Sequence, residues 1–173
     1  MPFKQFADDE VLTYDVVNRY FVQQTSVIKS ADETVTNSTS TQNDDELFVN
    51  VLANSQYFVE FFIIYDSIQA ADIKIFWVGP AGITFDWTHG GLGTSATATS
   101  GSVSRNYRSL SDVGTIGGPA VGSGTNAVIP GEGRLVTGAN SGLFRFQWSQ
   151  NTASTTGTIV RARSVLLVQR LTV

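Results

Sequence analysis

The sequence predicts an all-β protein, an antiparallel β-sandwich or jelly roll of about eight or nine strands with a short N-terminal α-helical arm. Apolar and polar residues alternate along several short segments, which is typical of strands with one buried face. Gly, Pro and Asn separate these segments. Helical spacing of apolar residues is confined to the start of the chain. We therefore expect an arm over residues 1–24 and a sandwich domain over residues 25–173.

The predicted helix begins near Thr13, which can act as its N-cap, and ends by Gln24. Its apolar residues recur at steps that place them on one stripe. The stripe consists of Leu12, Val16, Val17, Tyr20 and Phe21. A helix of about three turns is marginal in water by itself. The stripe must therefore dock, either on its own domain or on another subunit.

The longest strand signal is the apolar run Gln56–Tyr65, which contains a single charge, Glu60. A run this apolar indicates a strand that is covered on both faces, in the centre of a sandwich or at a subunit contact. We predict that Phe58, Phe61, Phe62 and Ile64 lie at a subunit interface.

Further strands are predicted on both sides of this run. The turn Gly79–Gly82 separates two of them, Asp72–Val78 and Ile83–Trp87, which are predicted to form a hairpin. A Gly-, Ser- and Thr-rich stretch from Thr88 to Thr125 is expected to contain one weak strand, Val103–Tyr107. The other predicted strands are Leu47–Val51, Asn126–Ile129, Gly133–Thr137, Leu143–Ser149, Thr158–Arg163 and Ser164–Leu171.

Composition excludes several functions. The chain has 173 residues, no cysteine, one histidine, 15% charged residues and a net charge of −4. Nucleic acid or an anionic membrane is not an expected partner, because both require a basic surface. No apolar run reaches the ~18 residues of a membrane span, and the opening residues lack a signal-peptide segment. Without cysteine, disulfides and thiolate metal sites are excluded.

Acidic residues are the candidates for chemistry. Asp44-Asp45-Glu46 is either a calcium site or a charged turn before a strand, and it lacks the alternate spacing of a calcium loop. Glycoside hydrolysis needs two carboxylates that flank a groove, and sequence cannot pair the available ones. These are Glu60, Asp66, Asp72 and Asp86. His89 is interpreted as a polar residue at a strand end. We expect no catalytic residue, no metal and no cofactor.

Two aromatic residues are candidates for contact with carbohydrate, Trp87 and Tyr107. Exposed rings stack on sugars, but Trp87 follows the alternation of its strand, which favours a place in the core or at an interface.

Residues 6–24 resemble the N-terminal arm of many structural proteins of tailed bacteriophages, which read Phe-x-x-Gly-x-x-Leu-Thr-Ala-x-x-x-Asn and end in Gln. Leu12, Thr13, Asn18 and Gln24 match, whereas Asp9 or Glu10 replaces the glycine and Tyr14 replaces the alanine. Residues 30–47, 71–82 and 144–152 are similar to small β-sandwich virion proteins of phages, which are minor tail or capsid-surface proteins. No catalytic residues come with this family.

The resemblance implies a non-enzymatic structural protein on the outside of a virion, made in the cytoplasm of the bacterial host. We expect a capsid decoration (cement) protein that the apolar stripe of the arm anchors. The alternative is a minor tail protein or tail appendage that binds host carbohydrate. A glycan hydrolase is the third interpretation. The expected partners are other virion proteins and further copies of this chain, as a homotrimer by resemblance to phage appendages.

Overall fold

The computed structural model describes residues 6–14, 16–17, 21, 23–94, 105–119 and 124–171. This part of the chain is all-β, with eleven strands in antiparallel sheets. The strands are β1 (Gln23–Ile28), β2 (Glu33–Val35), β3 (Gln42–Val51), β4 (Gln56–Asp66), β5 (Ile73–Val78), β6 (Thr84–His89), β7 (Gly114–Ile116), β8 (Asn126–Val136), β9 (Gly142–Gln150), β10 (Thr158–Val160) and β11 (Val165–Leu171).

The strands form two sheets. In sheet A, β4 pairs with β8 on one side and with β11 and β10 on the other; β8 also pairs with β6, β11 with β1, and β10 with β2. Sheet B has the order β3-β9-β5-β7. Paired strands enclose one another in the sequence. The pair β5–β7 lies between β4 and β8, which pair; these lie between the paired β3 and β9, and all of them lie between the paired β1 and β11. This nesting is the winding of a jelly roll. The predicted all-β class with antiparallel sheets is confirmed, with eleven strands in place of eight or nine. Strands β1, β2 and β7 are additional to the predicted ones.

The core lies between the two sheets and is rich in aromatic rings. Trp77 is at its centre: its ring stacks on Phe144 with centroids 5.0 Å apart. Phe61 lies 5.0 Å from Trp77, and Phe85 meets it edge-on at 5.6 Å. Such pairs add about 0.5–1.5 kcal/mol each beyond their buried area. The aromatic residues of alternating strands therefore hold sheet A against sheet B.

The predicted hairpin of β5 and β6 is wrong. Strand β5 lies in sheet B between β9 and β7, whereas β6 lies in sheet A beside β8. The turn between them is where predicted, with Gly82 at a φ of +84° and Ile83 N–H donating to Pro80 O at 3.3 Å. The turn carries the chain from one sheet to the other instead of back along its neighbour.

Strand β8 joins two segments that were predicted separately. Its inward-facing Gly131 and Gly133 lie under the rings of Phe61 and Phe85. A Cβ at Gly131 would lie 2.0 Å from Phe61 Cζ, and one at Gly133 would lie 2.5 Å from Phe85 Cε2. Glycine here leaves space for an aromatic ring and does not end the strand. The weak strand predicted at Val103–Tyr107 falls partly outside the described residues, and β7 forms further along the chain.

The N-terminal helix is unsupported, since no helix is defined as an element in the described part of the arm. Two backbone hydrogen bonds there have helical spacing, from Val17 N to Thr13 O at 3.0 Å and from Phe21 N to Val17 O at 3.1 Å. Asp9, one of the two candidates for the glycine position of the resembled family, has a φ of 64°, in the left-handed region that glycine favours. The described residues contain no helix long and apolar enough to cross a bilayer.

Candidate functional site

The outer face of sheet A carries several exposed apolar side chains. Along β4, Tyr57, Val59, Phe61, Ile63 and Tyr65 point into the core, so the alternate residues point outwards. Of the predicted interface residues, Phe58, Phe62 and Ile64 lie on the outer face. Phe61 is only 4% exposed and belongs to the core, which removes it from any interface.

A row of apolar residues crosses this face. Ile28 of β1 is opposite Val165 of β11, Val165 is opposite Phe62 of β4, and Phe62 is opposite Pro130 of β8. Ile28 is 63% exposed and Phe62 is 45% exposed. Ile64 and Val128, also opposite each other, extend the apolar face along β4 and β8.

An open groove of about 360 Å³ lies beside this row. Phe62, Val165 and Leu167 contribute its apolar lining, and Glu60 and Glu132 contribute carboxylates. The two glutamates are direct partners across β4 and β8, an arrangement in which like charges repel. Arg105 offsets part of this repulsion, since its Nη1 lies 3.2 Å from Glu132 Oε1. The groove therefore favours apolar or cationic side chains over anionic ligands.

The other candidate carboxylates lie elsewhere, each with its own partner. Asp66 Oδ2 accepts hydrogen bonds from Arg161 Nη2 at 2.8 Å and from Gly124 N–H at 2.7 Å. Asp72 Oδ1 accepts one from Gly118 N–H at 3.0 Å, and burial raises the pKa of this carboxyl group. These contacts explain the buried aspartates as parts of the fold.

Residues 105–109 cover the free edge of β6. Trp87 and Arg108 exchange two backbone hydrogen bonds of 2.9 and 2.8 Å, and Trp87 Nε1 donates to Ser109 O at 2.9 Å. Trp87 is thus in the core at 2% exposure, which removes it as a carbohydrate contact in this conformation. Tyr107 is 75% exposed, and its hydroxyl group donates to Asp86 Oδ1 at 2.7 Å.

His89 ends β6 and is buried beside this cover. Its Nε2 accepts a hydrogen bond from Arg108 Nε at 3.1 Å, and its Nδ1 lies 3.2 Å from Gly90 O. Burial lowers the pKa of His89, and the nearby Arg108 acts in the same direction. The imidazole is therefore a neutral structural group, in keeping with the interpretation from sequence.

The described residues of the arm stripe lie outside the core. Leu12, Val17 and Phe21 are substantially exposed, Val16 is half-buried, and Tyr20 lies outside the described residues. The ring of Phe21 packs on Phe6 with centroids 5.8 Å apart. Within the described residues, the core cluster contains no residue of the arm. The described apolar side chains of the arm are thus not part of the core.

The acidic triplet is part of β3, at an irregularity in its pairing with β9, and is not a turn before the strand. Asp44 is fully buried and Asp45 is exposed. Glu46 accepts hydrogen bonds from Ser30 N–H at 2.8 Å and Ala31 N–H at 3.2 Å. Among the described residues, no group of His, Cys, Asp and Glu side chains could hold a metal ion.

Asp44 and Glu33 surround the buried ammonium group of Lys29. Lys29 Nζ lies 2.9 Å from Glu33 Oε2 and 3.0 Å from Asp44 Oδ1. Burial acts to lower the pKa of Lys29, but the hydrogen bonds with Glu33 and Asp44 raise it above its ordinary value. Burial raises the pKa of Glu33. Sequence reasoning missed this cluster, because Lys29 lies in a polar segment without alternation.

Comparison with known proteins gives structural similarities only. No protein-family model and no curated protein matches the chain. The tripod from the baseplate of bacteriophage Tuc2009 is 10% identical, with a TM-score of 0.41, and the match covers 96% of this chain and 72% of that chain. The T13 particle of infectious bursal disease virus is 12% identical, with a TM-score of 0.35, over 100% of this chain and 40% of that one. Similarity at this level assigns the chain to no family and transfers no function.

Proposed function

We propose that this protein is a non-enzymatic structural subunit on the exterior of a virus particle, a capsid decoration protein that is held by its N-terminal arm. One observation carries the proposal: the jelly roll leaves two separate apolar surfaces uncovered, the arm and the outer face of sheet A. An apolar surface rimmed by polar residues is typical of a protein–protein contact. The resemblance of residues 6–24 to phage structural proteins supports the same role.

The two surfaces have different tasks in this proposal. The outer face of sheet A, with Phe58, Phe62 and Ile64, joins copies of the chain into a closed homotrimer. Ring closure of identical subunits covers the same patch on every copy. The arm, with Leu12, Val16, Val17, Tyr20 and Phe21, binds a different virion protein.

Assembly is tested by light scattering on the purified protein at micromolar concentration. The wild-type chain should be a trimer, and Phe62→Glu should be a folded monomer, because the new charge would be buried in the contact. Leu143→Glu, on the outer face of sheet B with a similar exposed fraction, is the matched control and should remain a trimer. A wild-type monomer, or equal behaviour of the two variants, would refute the interface.

Position on the particle needs a separate experiment. Particles of the virus that encodes the chain are separated into capsids and tails, and each fraction is probed with an antibody against this protein. Capsid-bound protein supports decoration, tail-bound protein supports the alternative of a tail appendage, and absence from both refutes the virion role. Deletion of residues 1–21 stops before β1, so the shortened chain should keep its melting temperature but no longer bind particles.

Binding of host carbohydrate is the second candidate function, and the exposed ring of Tyr107 favours it. The hydrogen bond to Asp86 holds this ring on the surface, where it can stack on a sugar. A glycan array with the wild-type protein and Tyr107→Ala tests it. Binding that the substitution abolishes supports a receptor role, whereas no binding by the wild type removes this candidate.

A further inference from the structure

Lys29, Asp44 and Glu33 are placed for a covalent reaction within the chain. Lys29 follows the last residue of β1 in sheet A, and Asp44 lies in β3 of sheet B. The side chains of Lys29 and Asp44 are 1% and 0% exposed, and that of Glu33 is 15% exposed. The amine nitrogen is thus in contact with two carboxyl groups in an environment almost without solvent.

The two oxygens of Asp44 have different surroundings. Oδ1 accepts hydrogen bonds from Glu46 N–H at 3.0 Å and Leu47 N–H at 2.8 Å, in addition to the contact with Lys29. Oδ2 is buried and has no hydrogen-bond partner in the described part of the chain. A buried carboxylate oxygen without a partner is costly. Loss of Oδ2 would remove the cost of burying an oxygen without a partner. Oδ1 would remain hydrogen-bonded to the backbone N–H groups of Glu46 and Leu47.

We propose that Lys29 and Asp44 condense to an intramolecular isopeptide bond, with Glu33 as the group that transfers the protons. Glu33 accepts a proton from Lys29 Nζ and passes it to Oδ2 of Asp44, so that the ion pair becomes a neutral amine beside a neutral carboxylic acid. The amine then attacks Cγ of Asp44, and a C–N bond forms. The N–H groups of Glu46 and Leu47 stabilise the negative charge on Oδ1. The bond from Cγ to Oδ2 then breaks. Nζ loses two protons in total, and both end on Oδ2, which leaves as water.

Three features of the arrangement favour this reaction, whereas the hydrogen bonds that raise the pKa of Lys29 oppose its first proton transfer. The reactants are held in contact by the fold, so no encounter is needed. Burial raises the pKa of Glu33, which makes it a better proton acceptor than an exposed carboxylate. Condensation also replaces a buried ammonium group and a buried carboxylate with a neutral amide, which removes the desolvation cost of two charges. The product is a covalent link between the two sheets, at the point where the chain leaves β1.

Mass spectrometry of the folded, full-length protein after incubation at neutral pH tests the proposal. The denatured wild-type chain should be lighter than its sequence by one water molecule. Trypsin should fail to cut after Lys29, so residues 20–74 should appear as one peptide. When this peptide is fragmented in the mass spectrometer, breaks should occur outside the loop that joins Lys29 to Asp44 and not within it. A wild-type chain with the full sequence mass overturns the proposal, whether or not any variant folds. Water loss in a chain that trypsin still cuts after Lys29 overturns it too.

Substitutions assign the roles. Asp44→Ala should keep its full mass, whereas Asp45→Ala, the same change at the exposed neighbouring position, should still lose water. Glu33→Gln should react at least tenfold more slowly than the wild type, with an unchanged circular dichroism spectrum. Equal rates for Glu33→Gln and the wild type would refute the proton-transfer role.

Discussion

Gly131→Ala tests whether the close packing of β8 under the aromatic core limits stability. The added Cβ would lie 2.0 Å from Phe61 Cζ, whereas non-bonded carbons in contact are about 3.5–4.0 Å apart. The Phe61 ring would have to move by roughly 1.5–2 Å, but Trp77 and Trp87 pack on it at 5.0 and 6.3 Å between centroids. Overpacking costs about 1–3 kcal/mol, and alanine recovers about 0.4–1 kcal/mol by restricting the unfolded chain.

The net loss in the free energy of unfolding should therefore be about 1–2 kcal/mol, measured by urea denaturation with an unchanged m-value. Phe61→Leu provides the decisive comparison, because it removes the ring atoms that the new methyl group meets. In that background Gly131→Ala should cost nothing or be slightly stabilising. An equal cost in both backgrounds would refute the packing argument, since it would show that the ring is not the obstacle.

Three further predictions concern charge and burial. Burial lowers the pKa of His89 from 6.5, so the neutral side chain stabilises the fold above that pH and this contribution is lost below it. The urea concentration at the unfolding midpoint should therefore decrease as the pH is lowered from about 7 to about 5, and the decrease should be smaller in His89→Gln. Arg161→Met leaves the buried Asp66 without its cation and should cost about 3–5 kcal/mol, whereas Arg105→Met, in an exposed ion pair, should cost about 0–1 kcal/mol. Iodide should quench the fluorescence of the three buried tryptophans only after unfolding.

Alternation predicted most of the core correctly. In β9, predicted as Leu143–Ser149, apolar residues alternate with polar ones, and Phe144, Phe146 and Trp148 are all fully buried. This works because each inward residue is separated from the next by a polar one, which fixes the face of every position.

The continuous apolar run of β4 shows where this reasoning fails. Both faces are apolar, so the run does not reveal which residues point inwards, and Phe61 was expected at an interface although it lies in the core. The single charge of Glu60 contained the missing information. A charge in an otherwise apolar strand belongs on the open face, which places Phe58, Phe62 and Ile64 outside and Phe61 inside.

Contacts between residues far apart in the sequence were the second feature that could not be predicted. Local turn chemistry places the bend at Gly79–Gly82 correctly but does not tell whether the next strand returns along the same sheet. The cluster of Lys29, Glu33 and Asp44 could not be predicted for the same reason. Lys29 and Asp44 are 15 positions apart, and only the packing of the two sheets shows that they are in contact. The edge strand β1 opens with the four polar residues Gln23–Ser26, which pair with β11, so no hydrophobic alternation marks it in the sequence.

The nesting of strand pairs has a consequence for synthesis on the ribosome. Strand β11, the last of the described strands to be made, lies between β1, the first of them, and β4. While the chain is growing, β1 has no partner in the sheet, and the arm remains unattached to any folded structure. Pairs so distant in sequence also form slowly. A chain that has not yet been made through β11 would therefore carry the arm without a finished sandwich.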